Sequence, residues 1–136
     1  MRTDTKIAVI VRDELAIWQK LNVASFLAGG LVGVYPELAG ERYVDASGRA
    51  YGPLIRQPIL VFAAAGTELR TAFQRATERN LPVSIYTREL FTTGNDGDNR
   101  AAVAGVATDS LDLVGLALHA EGKEVNKVTK GLKLHP

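Results

Sequence analysis

The stretch Lys6-Ile7-Ala8-Val9-Ile10-Val11-Arg12-Asp13-Glu14-Leu15 decides the fold class. Its first part is a nearly unbroken apolar run rich in β-branched residues, the pattern of a strand buried on both faces. Three charged residues, Arg12, Asp13 and Glu14, end it. From Leu15 the apolar residues recur at Leu15, Trp18 and Leu21, with Ile17, Ala24, Leu27 and Ala28 beside them. That is helical spacing, and Gly29-Gly30 reads as the stop. Strand, charged turn and helix together open the chain in α/β style.

Outward from this unit, Pro36 to Gln57 is irregular. Arg42-Tyr43-Val44-Asp45 and Arg49-Ala50-Tyr51 flank Ala46-Ser47-Gly48, which signals a hairpin. Ile59 to Ala64 reads as a second buried strand. Leu69, Ala72, Phe73 and Ala76 predict a helix opening at Gly66-Thr67-Glu68, with Thr67 as its N-cap. Arg70, Arg75, Glu78 and Arg79 are then expected to face water. Asn80-Leu81-Pro82 breaks that helix, and Val83 to Tyr86 forms a short strand. Thr87 to Arg100 is polar, and its portion Thr92 to Asn99 reads as a mobile loop because of its glycines and small polar residues. Ala101 to Ala107 fits strand or helix, Leu113 to Leu118 a strand, and Glu121 to Lys130 a short helix. Without repeats or a linker, residues 1–136 read as one domain.

Composition narrows the function classes. Apolar residues make up 46% and charged residues 23%, which excludes wholesale disorder. There is no cysteine, so disulfides, thiol nucleophiles and cysteine-based metal sites are excluded, in keeping with a cytoplasmic, reducing setting. Apolar runs are too short or too glycine-interrupted to span a bilayer, and no signal-peptide pattern is present, so no membrane partner is expected. A net charge of +1 does not support tRNA or another nucleic acid as partner. Lys123, Lys127 and Lys130 share one side of a helix, the ordinary pattern of a solvated face.

Phosphate-loop and dinucleotide fingerprints are absent, and neither His119 nor His135 has a second ligand at metal-binding spacing, so no metal or cofactor is expected. The polar candidates are set by topology. Ligands of open α/β sheets bind beyond the carboxyl ends of parallel strands. Arg12, Asp13 and Glu14 follow the first strand, and Thr87, Arg88 and Glu89 follow the third, with Thr92, Thr93, Asn95 and Asn99 soon after. Lys20 and Asn22 lie early in the first helix, and Trp18 is expected to be partly buried beside the same site. The ordinary alternative is that these residues only build turns and caps.

The run from Lys6 to Leu15 resembles the opening of the type-two peptidyl-tRNA hydrolases, and Asn126 to Leu134 (NKVTKGLKL) resembles their closing helix and tail. Leu81-Pro82 through Thr92 matches the length of a further segment of that family. Trp18-Gln19-Lys20-Leu21-Asn22-Val23, the Tyr43…Gly48…Tyr51 hairpin and Gln57-Pro58-Ile59 are similar to an uncharacterised bacterial group, the domain-of-unknown-function family two thousand, regarded as sharing that hydrolase fold. The resemblance implies a mixed, mostly parallel sheet of four to five strands with helices on both faces, and a homodimer. Aligned without a gap on Arg12, the hydrolase motif's Lys, Gln and His fall on Leu21, Ser25 and Ala28. A one-residue shift brings its lysine onto Lys20. Aligned on Leu81-Pro82, its Asp falls on Arg88, beside Glu89, and its Thr on Thr92.

Three functions follow. A binding or regulatory protein would use Arg12, Lys20 and Arg88 as positive charge and Asn22, Asn95 and Asn99, with Thr87, as hydrogen-bonding groups for a small anionic or nucleotide-like ligand. A hydrolase of altered chemistry, acting on an ester such as peptidyl- or aminoacyl-tRNA, would use Lys20 or Glu89 as base toward water or Thr92, with Asn22 or Asn95 at the oxyanion. A homodimeric scaffold would need none of these residues.

Overall fold

The computed structural model describes residues 4–136. Strand β1, Thr5–Arg12, is the middle of a five-stranded sheet, and its residues Ile7 to Val11 are buried on both faces. On one side it pairs in parallel with β4, Ile59–Ala64, and on the other antiparallel with β6, Leu113–Glu121. Strand β5, Ser84–Thr87, pairs antiparallel with β6, and β7, Lys133–Leu134, pairs antiparallel with β4. The order is β5-β6-β1-β4-β7. A separate ribbon, β2 (Tyr43–Val44) with β3 (Ala50–Tyr51), forms the hairpin read from the sequence, with Gly48 in the left-handed region at φ 85°.

The sheet is therefore mixed but mostly antiparallel, not mostly parallel. The reason lies between β5 and β6. Helix α3, Asp96–Ala104, contains no buried residue and does not pack as a crossover on the sheet. The chain returns to the end of β5 that it left, so β6 must run the other way. Strands β1, β4 and β5 still share one direction, which keeps Arg12 and Thr87 at the same rim.

Helices cover both faces. Helix α1, Ile17–Val34, seats Val23, Leu27 and Leu31 on Ile7, Val9, Val11 and Val114. On the opposite face, α2 (Gly66–Glu78) and α4 (Gly122–Val128) bury Leu69, Ala72, Ala76, Val125 and Val128 against Ala8, Ile10, Leu116 and Leu118.

Four local expectations need correcting. Helix α1 does not stop at Gly29-Gly30. The spacing Val23, Leu27, Leu31 continues through the glycines, and burial of Leu31 outweighs the roughly 1 kcal/mol that each glycine costs a helix. It ends at Tyr35, whose backbone leaves the helical region at φ −125° and ψ 80° before Pro36. The N-cap of α2 is Ala65, not Thr67, because the Glu68 carboxylate accepts the Ala65 N–H at 2.8 Å. Thr92 to Asn99 is not a free loop: Arg88–Thr92 is a 3₁₀ turn, and Asn95 caps α3 by accepting the Asp98 N–H at 2.9 Å. Arg70 also leaves bulk water, donating to the Thr108 and Leu111 carbonyls.

Gly115 on β6 sets how closely α1 approaches the sheet. A Cβ there would collide with Val23 Cγ1 and stand 2.9 Å from Leu27 Cδ1. Gly115→Ala is expected to lower unfolding free energy by about 1–3 kcal/mol, the usual cost of overpacking. Urea titration followed by circular dichroism measures it.

Candidate functional site

The shared rim of β1 and β5 holds four charges. Arg12 ion-pairs with Glu14, stands 3.5 Å from Asp112, and donates to the Leu113 carbonyl at 3.1 Å. Arg88 bonds Asp112 at 3.1 Å through Nε and Glu14 at 3.2 Å through Nη2. Burial alone would lower the affinity of Arg88 for its proton. The hydrogen bond and charge of Asp112, followed by the charge and hydrogen bond of Glu14, more than offset this and hold the guanidinium above its ordinary range. The Arg12 guanidinium lies against Gly66 at the start of α2, and its Nε is buried without a partner. The rim brings Arg12 and Arg88 together as expected, but as a neutralised pair of cations and carboxylates. Asp112 was not among the sequence candidates. Reading β6 as antiparallel would have put it at this rim.

Lys20 stands elsewhere. Its Nζ lies 3.2 Å from His135 Nε2, and the His135 backbone N–H bonds the Val61 carbonyl, at the β4–β7 side of the sheet. Thr87 is buried at the end of β5. Thr92 donates to the Glu89 carbonyl at 2.9 Å, closing the 3₁₀ turn, while Glu89 itself is exposed. Lys20, Glu89 and Thr92 are not hydrogen-bonded or ion-paired into one cluster.

The remaining candidates meet on the other flank of α1. A cleft of about 360 Å³ opens between α1 and the segment Leu90–Asn99. Its walls are aromatic: Trp18 and Phe26 from α1, Tyr86 from β5 and Phe91 from the 3₁₀ turn. Trp18 meets Phe91 edge-on at 5.7 Å, and Tyr86 lies 5.1 Å from Phe91 and 6.0 Å from Phe26. Trp18 is at the cleft as expected, though more open than expected at 57% exposure. Asn22, Thr93, Asn95, Asp96 and Asn99 form the polar rim, which includes no cationic side chain.

The hydrogen bonds leave definite groups free in this cleft. Thr93 Oγ1 lies within hydrogen-bonding reach of both Asn99 Oδ1 and the Leu90 carbonyl, which share its single proton. Asn22 Nδ2 donates to the Trp18 carbonyl at 3.0 Å. Among the described residues, Asn22 Oδ1, Asn99 Nδ2 and the Tyr86 hydroxyl take no hydrogen-bond partner. Tyr86 is only 7% exposed, and burial raises its phenol above the ordinary 10.0. Among the described residues, no group of three or more His, Asp or Glu is placed to hold a metal ion. No helix there is long and apolar enough to cross a membrane.

A family model described as Protein of unknown function (DUF2000) matches residues 5–136. The chain belongs to this family. A solved structure of a protein of unknown function, Atu0240, from Agrobacterium tumefaciens strain C58 is similar to it at a TM-score of 0.95 and 48% sequence identity. That likeness covers 99% of this chain and 100% of the other. A search of curated proteins finds no match. Function in this family must therefore be argued from the cleft and the rim themselves.

Two outcomes follow from this geometry. A double-mutant cycle on Arg88→Ala and Asp112→Ala, read by urea unfolding, is expected to give a coupling of about 0.2–1 kcal/mol that shrinks in concentrated salt, since both side chains are half exposed. In an alkaline absorbance titration Tyr86 should ionise late, and Tyr86→Phe should remove a late step. Because its folded-state value is raised, the stability it contributes is present below 10.0 and is lost as pH rises further.

Proposed function

We propose that this protein binds a small, flat, uncharged heterocycle of the nucleobase or nucleoside class in the aromatic cleft. The observation that carries this reading is the Tyr86 hydroxyl, held in a nine-tenths buried ring between Phe26 and Phe91 with no protein partner. That hydroxyl opens on the cleft, and a ligand heteroatom would take up its free hydrogen-bonding capacity. Asn22 Oδ1 and Asn99 Nδ2 supply an acceptor and a donor, suited to a ring edge that carries both. The aromatic walls supply stacking surface. A volume of about 360 Å³ suits a small ligand.

An anionic group is less well served. Arg12 and Arg88 are already matched by Glu14 and Asp112, and the cleft rim has Asp96 but no cation. An altered hydrolase needs Lys20 or Glu89 to reach the same reacting atom as Thr92, and α1 stands between Lys20 and the cleft. The fold kinship with type-two peptidyl-tRNA hydrolases belongs to the same reading, supported by the opening and closing segments quoted above. So does a cytoplasmic setting, supported by the lack of cysteine.

Trp18 is the only tryptophan, so its fluorescence reports on the cleft alone. Titration with a panel of nucleobases and nucleosides is expected to change it saturably. Tyr86→Phe should weaken binding about 2- to 12-fold, the equivalent of one hydrogen bond of roughly 0.5–1.5 kcal/mol. Arg12→Gln should leave it unchanged. Binding only of phosphorylated ligands, lost in Arg12→Gln, would overturn the proposal, as would no response across the panel.

A further inference from the structure

The aromatic cleft has two chemically different ends. Tyr86 on its inner side is nearly buried, whereas Asn95 and Asp96 at its mouth are exposed. A flat ring seated among Trp18, Tyr86 and Phe91 takes up the aromatic end and leaves the mouth to whatever the ring carries. A cavity of about 360 Å³ has room for such a substituent.

The mouth is the start of α3, and the hydrogen bonds already made there decide what it can bind. Asn95 is engaged as the N-cap: its Oδ1 accepts the Asp98 N–H at 2.9 Å, and its Nδ2 donates to the Asp98 carboxylate at 3.1 Å. Thr93 is engaged with Asn99 and the Leu90 carbonyl. Asp96 is different. Its Oδ2 ion-pairs with Arg100 one turn along the helix, while among the described residues its Oδ1 has no partner. A carboxylate accepts at both oxygens, in about four directions, and Arg100 occupies only one oxygen. The open group at the mouth is therefore an acceptor, and it calls for donors on the ligand.

The donors that fit are neutral. Asp96 and Asp98 in the first turn already answer the positive end of α3, and no cation lines the cleft, so an anion gains little at the mouth. Arg100 already balances the charge of Asp96, so a second cation also gains less there than a neutral hydroxyl. The two vicinal hydroxyls of a sugar can both donate to one carboxylate. A free nucleobase places nothing at the mouth, and a 5′-phosphate brings acceptors to an acceptor. We propose that Asp96 reads the 2′,3′-diol of a ribonucleoside whose base lies among the aromatic walls, and so selects nucleosides over free bases and over nucleotides. This assignment rests on the base-binding reading of the cleft.

Calorimetric titration of the full chain with adenosine, guanosine, cytidine and uridine tests it, each beside its free base and its 2′,3′-dideoxy form. For the nucleosides that bind, loss of both hydroxyls is expected to weaken binding about 5-fold or more, the low end for two hydrogen bonds. Asp96→Ala should weaken the ribonucleoside by the same factor and leave the base and the dideoxynucleoside unchanged, closing the gap between them. Asp109→Asn, an exposed acid of the same β5–β6 connection outside the cleft, should leave the gap open. Bases and dideoxynucleosides that bind the wild type as tightly as ribonucleosides would overturn the role of Asp96 while leaving the base site standing. An Asp96→Ala loss equal for ribo and dideoxy forms would overturn it too, by showing that Asp96 only supports α3. So would a 5′-monophosphate that binds more tightly than its nucleoside. Silence from every base and nucleoside would remove the base site itself, and this assignment with it.

Discussion

Burial of Ile7 to Val11 on both faces of β1 is the constraint on which the rest of the molecule depends. A central strand apolar on both sides requires a strand on each edge and a helical layer above and below. The α1 layer is held by Val23, Leu27 and Leu31, and Gly115 allows it to settle close to β6. That seating has two consequences. It turns Trp18, Asn22 and Phe26 toward Tyr86 and Phe91, which makes the cleft. It also leaves Ile17, Leu21, Gly29 and Gly33 on the outside.

The two polar regions differ in chemical use. At the rim, two guanidinium groups and two carboxylates balance one another in charge, although Arg12 Nε is buried without a partner, and the cluster ties the end of β1 to the 3₁₀ turn and the start of β6. Such half-exposed pairs contribute little stability, and their value is positional: they fix Arg88, and with it the turn that presents Phe91. The cleft is the reverse case. Its aromatic walls pack against one another, while Tyr86, Asn22 and Asn99 keep hydrogen-bonding capacity in reserve. Open hydrogen-bonding groups lining an aromatic cleft offer a small uncharged ligand more than charge already matched within the fold.

Much of this was legible in the residues. β-branched runs located β1 and β4, and the Ala46-Ser47-Gly48 turn located the hairpin. The spacing of Leu69, Ala72, Phe73 and Ala76 located α2. What eluded local reading depended on long-range packing. Continuation of α1 through Gly29-Gly30 is decided by Leu31 reaching the sheet. The antiparallel course of β6 is decided by α3 failing to cross it. At the site, Asn22, Asn95 and Asn99 were sought near one another and line the same cleft, but of its four aromatic walls only Trp18 was anticipated, because Phe26, Tyr86 and Phe91 each look like a core residue along the chain. The three cations were sought in one place, but α1 carries Lys20 toward β7 while its other flank faces the cleft.

The most direct test of the account is a map of backbone and side-chain amide chemical shifts on titration with an uncharged nucleoside. Perturbations centred on the Trp18 indole, the Asn22 and Asn99 amides and the segment Tyr86 to Thr93 are the predicted result. Perturbations centred on Arg12, Arg88 and Gly66, or on Lys20 and His135, would contradict it and move the binding site to the charged groups.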